Sequence, residues 1–386
     1  MAKRIPLDSV CEKKISTLPS QYEGKINYVD ISSIENETKQ IVSTQCLSAK
    51  EAPSRAKQLL EVGDILVSTV RPNLNAVAMV RQQAENLLVG STGYCVLRCN
   101  DKVDKRYVFY FCQSPYFVDD MTSQATGASY PAVSSGIVKN STIPFCSIEE
   151  QVAIADNFDK LSQLIILRKQ QLTKLDELVK ARFVELFGDP ILNTMEWNTD
   201  TVNNLCKDIY GGGTPSKSHP EYYENGDIPW VSSKDMKTDI LYESQIRINQ
   251  LGVDNSTAKM VPVNSVIMVI RSGILKHTLP VAINAVPITV NQDLKVFIPN
   301  HKVLPVFLLF LFKMLEKDIL TGVRAVTADN IELNSLKERF VIVPPIELQN
   351  QFTEFVKQTD KSKLSIQQSL NKLELLKKAL MQKYFG

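Results

Sequence analysis

The chain has 386 residues, and 44% of them are hydrophobic. This length and composition predict two or three globular domains and exclude a chain that is disordered over most of its length. The 44 Lys and Arg residues nearly balance the 42 Asp and Glu residues, for a net charge of +2, which excludes a histone-like polycation that coats DNA by charge alone.

Neither a membrane span nor a secretory signal is predicted. The longest apolar run, 303–312, contains a proline and is much shorter than the roughly eighteen apolar residues of a membrane-spanning helix. The first charged residues, Lys3 and Arg4, are not followed by an apolar segment, as a secretory signal would require. We therefore expect a cytoplasmic protein with no membrane partner.

Residues 1–147 are expected to form a first globular domain. Runs rich in β-branched residues at 64–70 and 76–80 are bounded by Gly, Pro and Asn, as strands usually are. One stretch, 105–114, has helical spacing. Because helices and strands do not alternate regularly, we expect a mixed α/β domain of the α+β type with a twisted, mostly antiparallel sheet.

The next segment, 148–188, predicts one long helix. Apolar residues recur every three or four positions, and there is no Pro or Gly before Gly188, a pattern typical of a coiled-coil seam. About thirty-seven of these residues in one helix would extend roughly 55 Å at about 1.5 Å per residue. The predicted interface residues are Phe158, Leu161, Ile165, Leu172, Leu175, Val179 and Phe183.

The second half of the chain repeats this order. A second domain is expected over 189–345, with strands at 266–270 and 294–298 and a helix over 303–315. A second long helix is predicted for 346–386. Its interface residues are Ile366, Leu370, Leu373 and Leu380.

The two long helices are copies of one another. Residues 170–188 (QQLTKLDELVKARFVELFG) and 368–386 (QSLNKLELLKKALMQKYFG) are identical at nine of nineteen positions without a gap, whereas chance would give about one. Two helices with matching seams can bury those seams against each other, which predicts an antiparallel coiled coil. The alternative is that the two are amphipathic helices buried in the same globule.

The duplicated order resembles a known family. Each domain is followed by a similar turn, TIPFCSIEEQ at 142–151 and VPPIELQ at 343–349. The long helical segment then follows and ends in Phe-Gly in both halves. The second half also carries Gly-Gly-Gly-Thr-Pro-Ser at 211–216. Together these features resemble the specificity subunit of type I restriction-modification systems over essentially the whole chain. The first half departs from the pattern because it lacks the Gly-Gly-x-Thr-Pro-Ser loop.

The resemblance implies a fold and a function. Each globular domain would be a target-recognition domain that reads one half of a gapped site in double-stranded DNA. The paired helices would set the spacing and dock methyltransferase subunits, two per chain, and restriction subunits are a further candidate partner. S-adenosylmethionine would be bound by the methyltransferase, with no cofactor held by this chain.

A search of the residues themselves finds no catalytic site. The chain lacks an Asn/Asp-Pro-Pro-aromatic motif and a Gly-rich loop for a methyl donor, and it has seven irregularly spaced cysteines and three histidines. We expect no metal site, no catalytic residue and mostly buried thiols. The aromatic stretches 107–111 and 307–312 favour core packing over base stacking, because both have helical spacing.

Candidate DNA-binding residues lie on loops that the repeat places at equivalent positions. Arg71 and Arg271 each follow a strand, and the loops 126–131 and 321–324 form a second equivalent pair. Arginine and asparagine suit guanine and adenine edges, and glycine amides with a lysine at 211–217 suit phosphate. The candidates are Arg71, Asn73, Ser129, Tyr130, Thr214, Ser216, Lys217, Arg271, Lys276, Arg324 and Thr327.

Each of these assignments has an alternative. An arginine at a strand end can instead pair with a carboxylate, and the glycine loop can serve only as a flexible turn. For the whole chain, the alternatives are a coiled-coil scaffold that binds other proteins without reading DNA, and a self-contained DNA-modifying enzyme with a divergent site.

Overall fold

The computed structural model describes residues 3–321, 324–325 and 329–386, and at 324, 325 and 329 it describes the backbone alone. The chain forms two compact units, one of Met1–Gln171 with Ile366–Gly386 and the other of Leu172–Ser365. In the described part of the chain, no helix is both long enough and apolar enough to span a membrane.

The first unit contains eleven short strands among its described residues, arranged around a few short helices. The strands are β1 (Arg4–Pro6), β2 (Lys25–Val29), β3 (Ile34–Glu35), β4 (Gln40–Ile41), β5 (Gln45–Ser48), β6 (Ala56–Leu59), β7 (Ile65–Ser68), β8 (Val77–Met79), β9 (Leu87–Ser91), β10 (Tyr94–Leu97) and β11 (Thr142–Pro144). The helices are α1 (Lys105–Phe111), α2 (Pro115–Ser123), α3 (Ser135–Asn140) and the long α4 (Ile148–Phe187), whose residues from Leu172 onward belong to the second unit. The main sheets have the orders β5-β2-β9-β6 and β10-β7-β8, and β1 pairs with β11.

The second unit has a larger sheet. Its strands are β12 (Thr199–Thr201), β13 (Cys206–Gly211), β14 (Ile228–Val231), β15 (Ile240–Leu241), β16 (Ile246–Ile248), β17 (Val266–Val269), β18 (Val281–Asn284), β19 (Thr289–Val290), β20 (Leu294–Pro299), β21 (Arg324–Ala325), β22 (Asp329–Asn330) and β23 (Phe340–Ile342). The helices are α5 (Gln250–Asp254), α6 (Pro305–Met314), α7 (Glu316–Thr321), α8 (Leu333–Glu338) and the long α9 (Ile346–Phe385), whose residues from Ile366 onward belong to the first unit. The main sheets have the orders β13-β20-β17-β18-β15 and β16-β14-β19.

The predicted mixed architecture with mostly antiparallel sheets is confirmed. Among the described strands, the parallel pairs are β2 with β9, β14 with β19, and β15 with β18. Strands β7 and β17, at equivalent repeat positions, are buried at all four of their residues, as their continuous apolar runs require.

The helix predicted over 105–114 is interrupted. It ends at Phe111, and Ser114 starts a second helix by accepting a hydrogen bond from the backbone N–H of Phe117 at 3.2 Å. Pro115 occupies the first position of that helix, where its missing N–H has no consequence. The predicted helix therefore ends three residues early, and the Ser-Pro pair begins the separate helix α2.

In the first unit, the beginning of α4 packs against the end of α9. The ring of Phe158 stacks on that of Phe385 with 5.9 Å between centroids, and Lys377 Nζ donates to Ser162 Oγ at 3.1 Å. As the residue number rises along α4, it falls along α9. The pairing is therefore antiparallel.

The second unit contains the complementary pairing. The ring of Phe187, near the end of α4, lies 5.6 Å from that of Phe352, near the start of α9. Further along, Lys363 Nζ lies 2.6 Å from a carboxylate oxygen of Asp176. These contacts run in the same antiparallel sense, so the predicted pairing of the long helices is confirmed within each unit.

A buried glutamine joins the start of each long helix to the domain that precedes it. Gln151 Oε1 accepts the N–H of Asp104 at 3.0 Å, and Gln349 Oε1 accepts the N–H of Leu304 at 2.8 Å. Asp104 and Leu304 are the N-cap residues of α1 and α6. In each case the glutamine Nε2 donates to a carbonyl of the turn before the long helix at 2.9 Å. The repeated glutamine of the turn motif therefore makes the same hydrogen-bonded connection between domain and helix, or latch, in both halves.

Candidate nucleic-acid interface

In the first unit, two predicted DNA-binding loops lie side by side. Val70 and Ala132 form an antiparallel bridge, and the N–H of Arg71 donates to the carbonyl of Pro131 at 2.7 Å. The Arg71 guanidinium then lies over the ring of Tyr130, 4.7 Å from its centroid. This cation–π contact holds the planar donor group of Arg71 at the surface.

The backbone explains why these side chains project outward. The loop closes on itself through reciprocal hydrogen bonds between Thr126 and Ala132 at 3.0 and 2.9 Å, and Gly127 takes a positive φ of 103°. Tyr130 is left 69% exposed. The neighbouring candidates Asn73 and Ser129 are also exposed. An exposed aromatic ring beside an arginine and an asparagine is suited to stack on and hydrogen-bond to bases.

In the second unit, Arg271 has the equivalent backbone position but a different partner. It follows β17 and forms a bridge with Asn330, and β22 pairs Asn330 with Arg324. Its guanidinium contacts Asp293 Oδ1 at 2.7 Å through Nε and at 2.6 Å through a terminal nitrogen. The alternative of an arginine paired with a carboxylate is therefore what the free chain adopts. Thr327 lies outside the described residues.

The glycine loop of the second unit packs against the protein's own backbone. A Cβ on Gly212 would lie 1.8 Å from the carbonyl oxygen of Val290, so only glycine fits. The N–H of Gly213 donates to the same carbonyl at 3.0 Å, and its own carbonyl accepts the indole N–H of Trp230 at 2.9 Å. The Gly213 amide is therefore occupied by the protein's own backbone, and the approach of the amides of 211–217 to phosphate stays a prediction, as does the alternative of a flexible turn. The loop's other candidates, Thr214, Ser216 and Lys217, are exposed.

A turn between β19 and β20 connects these second-unit candidates. Thr214 Oγ1 donates to Gln292 Oε1, and the next residue, Asp293, holds Arg271. Lys276 is exposed at the end of the 3-10 turn that follows Arg271. The turn thus gathers the loop after β13 and the arginine after β17 on one surface of the unit.

Lys295 and Lys337 are candidates that the sequence analysis missed. Lys295 Nζ would lie 2.3 Å from a Cβ on Gly211, so the ammonium lies directly against the glycine loop. Partial burial, together with the charges of Lys337 and Arg271, lowers the pKa of Lys295 below its usual value. Mutual repulsion among cations is relieved by a bound anion, so this cluster is suited to a phosphate group. The available signal was Lys295 itself, a charged residue within the apolar strand Leu294–Pro299.

The predicted interface residues of the long helices are all buried or half-buried. They are Phe158, Leu161, Ile165, Ile366, Leu370, Leu373 and Leu380 in the first unit and Leu172, Leu175, Val179 and Phe183 in the second. The same helices also expose large apolar side chains. These are Leu164, Leu167, Leu375 and Leu376 in the first unit and Leu178, Val184 and Leu364 in the second.

No arrangement for a metal ion is found. Within 3–321, 324–325 and 329–386, no group of three or more His, Cys, Asp or Glu side chains is placed to hold one. The aromatic stretches predicted to pack in the core do so. Tyr107, Tyr110 and Phe111 in the first unit, and Phe307 and Phe312 in the second, are fully buried.

Comparison with known proteins agrees with this arrangement of two similar domains, each followed by a long helix. A family model described as the type I restriction modification DNA specificity domain matches residues 3–177 and again 195–375. The chain belongs to this family. The two matches coincide with the internal repeat.

Two curated relatives carry the same designation. The EcoR124I/EcoR124II specificity subunit of Escherichia coli is 34% identical over 240 residues, which is 59% of this chain and 56% of that protein. The chain therefore aligns with little more than half the length of that relative. The MjaIX specificity subunit of Methanocaldococcus jannaschii is 22% identical over 355 residues, which is 87% of this chain and 80% of that protein.

Two solved structures share the fold. One chain, from a study of complex assembly and conformational transition of the type I R-M system, has a TM-score of 0.63 at 23% identity and covers 99% of this chain and 97% of its own length. The other is the S subunit of a type I restriction-modification system from M. genitalium. It has a TM-score of 0.62 at 16% identity and covers 100% of this chain and 96% of its own length.

Proposed function

We propose that this chain is the non-catalytic DNA-specificity subunit of a type I restriction-modification complex, and that each globular domain reads one half of a gapped site in double-stranded DNA. The observation that carries the proposal is the equivalent placement of Arg71 and Arg271. Each follows the central buried strand of its unit. The backbone of Arg71 is hydrogen-bonded to Pro131 of the second candidate loop, and Arg271 bridges Asn330, which in turn pairs with Arg324 of the equivalent loop. One recognition surface is thus built twice.

The two surfaces would use their arginines differently. Arg71 is already stacked on Tyr130 and has its donors free for a guanine edge. Arg271 would leave Asp293 to contact a base. The free-energy cost of breaking this ion pair is small, because the Arg271 side chain is 49% exposed and such ion pairs contribute little in water. Lys295, Lys337 and the exposed Lys217 would supply phosphate contacts, which orient the protein on DNA without reading sequence.

The long helices would act as spacer and docking surface. Each has 40 residues, or about 60 Å of helix. Exposed leucines on otherwise polar helices, such as Leu164 and Leu375, support docking of other subunits. We propose two methyltransferase subunits per chain, each supplying S-adenosylmethionine and the catalytic site, with restriction subunits as further partners. Lengthening both helices by whole turns should widen the gap in the DNA site without changing either half.

The decisive experiment maps N6-methyladenine by single-molecule sequencing in a host that carries the cognate methyltransferase gene, with and without this chain. A two-part methylated motif that appears only with the chain is expected. Arg71→Ala should relax or abolish one half of that motif, and the control Lys50→Ala, which removes an exposed lysine paired with Glu23, should leave it unchanged. Methylation that is the same without the chain would refute DNA readout and favour the scaffold alternative.

A further inference from the structure

Two cysteines of the first unit face each other across an isolated antiparallel bridge. Cys11 and Cys99 are the bridge partners. The bridge is flanked by hydrogen bonds from the N–H of Glu12 to the carbonyl of Arg98 at 2.8 Å and from the N–H of Asn100 to the carbonyl of Val10 at 3.0 Å. This pattern makes Cys11 and Cys99 a non-hydrogen-bonded pair, in which side chains lie on the same face and the Cα atoms are about 4.5 Å apart. Disulfides span Cα separations of about 4.4 to 6.8 Å, so the backbone already permits one here.

The surroundings make the two thiols unequal. A hydrogen bond from Cys99 is the largest influence on Cys11 and lowers its pKa, with the Lys139 ammonium acting in the same direction against burial and the charge of Asp8. Lys139 is held beside Cys11 because its Nζ donates to the carbonyl of Glu12 at 2.7 Å. The same hydrogen bond and burial raise the pKa of Cys99. The Lys139 ammonium held beside Cys11 therefore favours the thiolate at Cys11 over the thiolate at Cys99.

The other buried thiols nearby are poor competitors. Burial raises the pKa of Cys95 to about 11, and it raises the pKa of the fully buried Cys112 well above its usual value. Cys46 is exposed. Among the cysteines, only the Cys11 and Cys99 pair combines a backbone bridge with an ionisable partner.

We propose that Cys11 and Cys99 are a modification site at which a hydroperoxide forms a reversible disulfide. The Cys11 thiolate attacks one peroxide oxygen, the O–O bond breaks, and the departing hydroxide takes a proton, which leaves Cys11 as a sulfenic acid and releases one water. The Cys99 sulfur then attacks the Cys11 sulfur and the S–O bond breaks, and the departing hydroxide takes the Cys99 thiol proton and leaves as a second water. Two thiols and one peroxide thus give one disulfide and two waters. The bond ties the N-terminal segment to the end of β10, across a loop that contains most of the first domain.

The test uses the full chain with Cys46→Ser, which removes the exposed thiol and leaves six of the seven cysteines. The protein is treated with a small excess of hydrogen peroxide, unfolded with N-ethylmaleimide present, and digested with trypsin. Cleavage after Arg98 places Cys99 on the peptide 99–102, whereas Cys95 lies on 82–98, Cys11 on 5–13 and Cys112 on 107–139. Two of the six thiols should be lost, the peptides 5–13 and 99–102 should be found linked, and dithiothreitol should restore both.

A second variant tests the order of events without depending on the linked peptide. With Cys99→Ser added, peroxide should leave Cys11 as a sulfenic acid that dimedone traps, whereas the parent should give at least tenfold less of this adduct because Cys99 consumes it. The proposal is overturned if both peptides remain alkylated with N-ethylmaleimide after peroxide, if a different pair is linked, or if the dimedone adduct is equal in the two proteins.

Discussion

Replacing Gln349 by Ala should weaken the second unit more than almost any other single polar substitution there. Gln349 is fully buried. Its Oε1 accepts the N–H of Leu304 at 2.8 Å, and its Nε2 donates to the carbonyls of Pro344 at 2.9 Å and Lys302 at 3.0 Å. The variant leaves these groups unpaired in the interior, at about 1 to 3 kcal/mol for each buried group that water does not reach. With one donor fully orphaned and two carbonyls partly relieved by rearrangement, we expect a loss of about 3 kcal/mol in the free energy of unfolding.

Tryptophan fluorescence during urea unfolding is the appropriate assay, because both tryptophans of the chain, Trp197 and Trp230, lie in the second unit. The matched control is Gln351→Ala, which removes an exposed glutamine from the same helix and should change stability by less than about 0.5 kcal/mol. Gln349→Met, which keeps the length but not the amide, should behave like Gln349→Ala. If the transitions of Gln349→Ala and Gln351→Ala coincide, the latch makes no contribution and the reasoning fails.

Three further predictions follow from other contacts. Tyr130→Ala removes the ring that holds the Arg71 guanidinium. With methyltransferase present, it should weaken DNA binding measured by fluorescence anisotropy by about five- to thirtyfold. Equal affinities for Tyr130→Ala and Tyr130→Phe would contradict this prediction. Phe187→Ala, at a fully buried ring, should cost about 3 to 5 kcal/mol in urea unfolding, against a negligible change for the control Leu192→Ala, which is 73% exposed. Burial lowers the pKa of Lys39 from 10.5 to about 8. At a pH between these two pKa values, the unfolded chain binds a proton that the folded chain has lost. The free energy of unfolding should therefore rise with pH in this range. Lys39→Met should make that rise smaller in circular dichroism unfolding curves recorded from pH 7 to 10, because the lowered pKa values of Lys295 and Lys377 also contribute to it. An unchanged slope would refute the assignment.

The parts of the fold that sequence predicts well are those specified by local spacing. The long helices carry a three-and-four repeat over ten turns, and the observed helices Ile148–Phe187 and Ile346–Phe385 have the expected extent. Parallel pairings were not predictable in the same way. The strand Ile240–Leu241 has two residues, too few for any periodic signal, and its pairing with Val281–Asn284 depends on contacts distant in sequence.

The candidate site was predictable in position but not in detail. The repeat placed Arg71 and Arg271 at the same backbone position, and the structure agrees. Their partners come from remote segments, Tyr130 in one case and Asp293 in the other, so the position of an arginine does not reveal its contact. The role of the glycines at 211–213 could not be predicted from sequence either. A glycine that lets a ligand approach and a glycine that lets another strand approach look the same in sequence.

The duplicated contacts and the diverged contacts have different functions in this fold. The latch of Gln151 is repeated by Gln349 with nearly the same hydrogen bonds, because every copy of the domain must attach to its helix in the same way. At the surface, Arg71 stacks on a ring and Arg271 pairs with a carboxylate, so the two copies present different groups. The attachment of the domain to its helix is therefore the same in the two halves, whereas the surface contacts of the two arginines differ. A duplicated protein that reads two unlike half-sites requires both conditions at once, and a scaffold that binds two identical partners would require only the first.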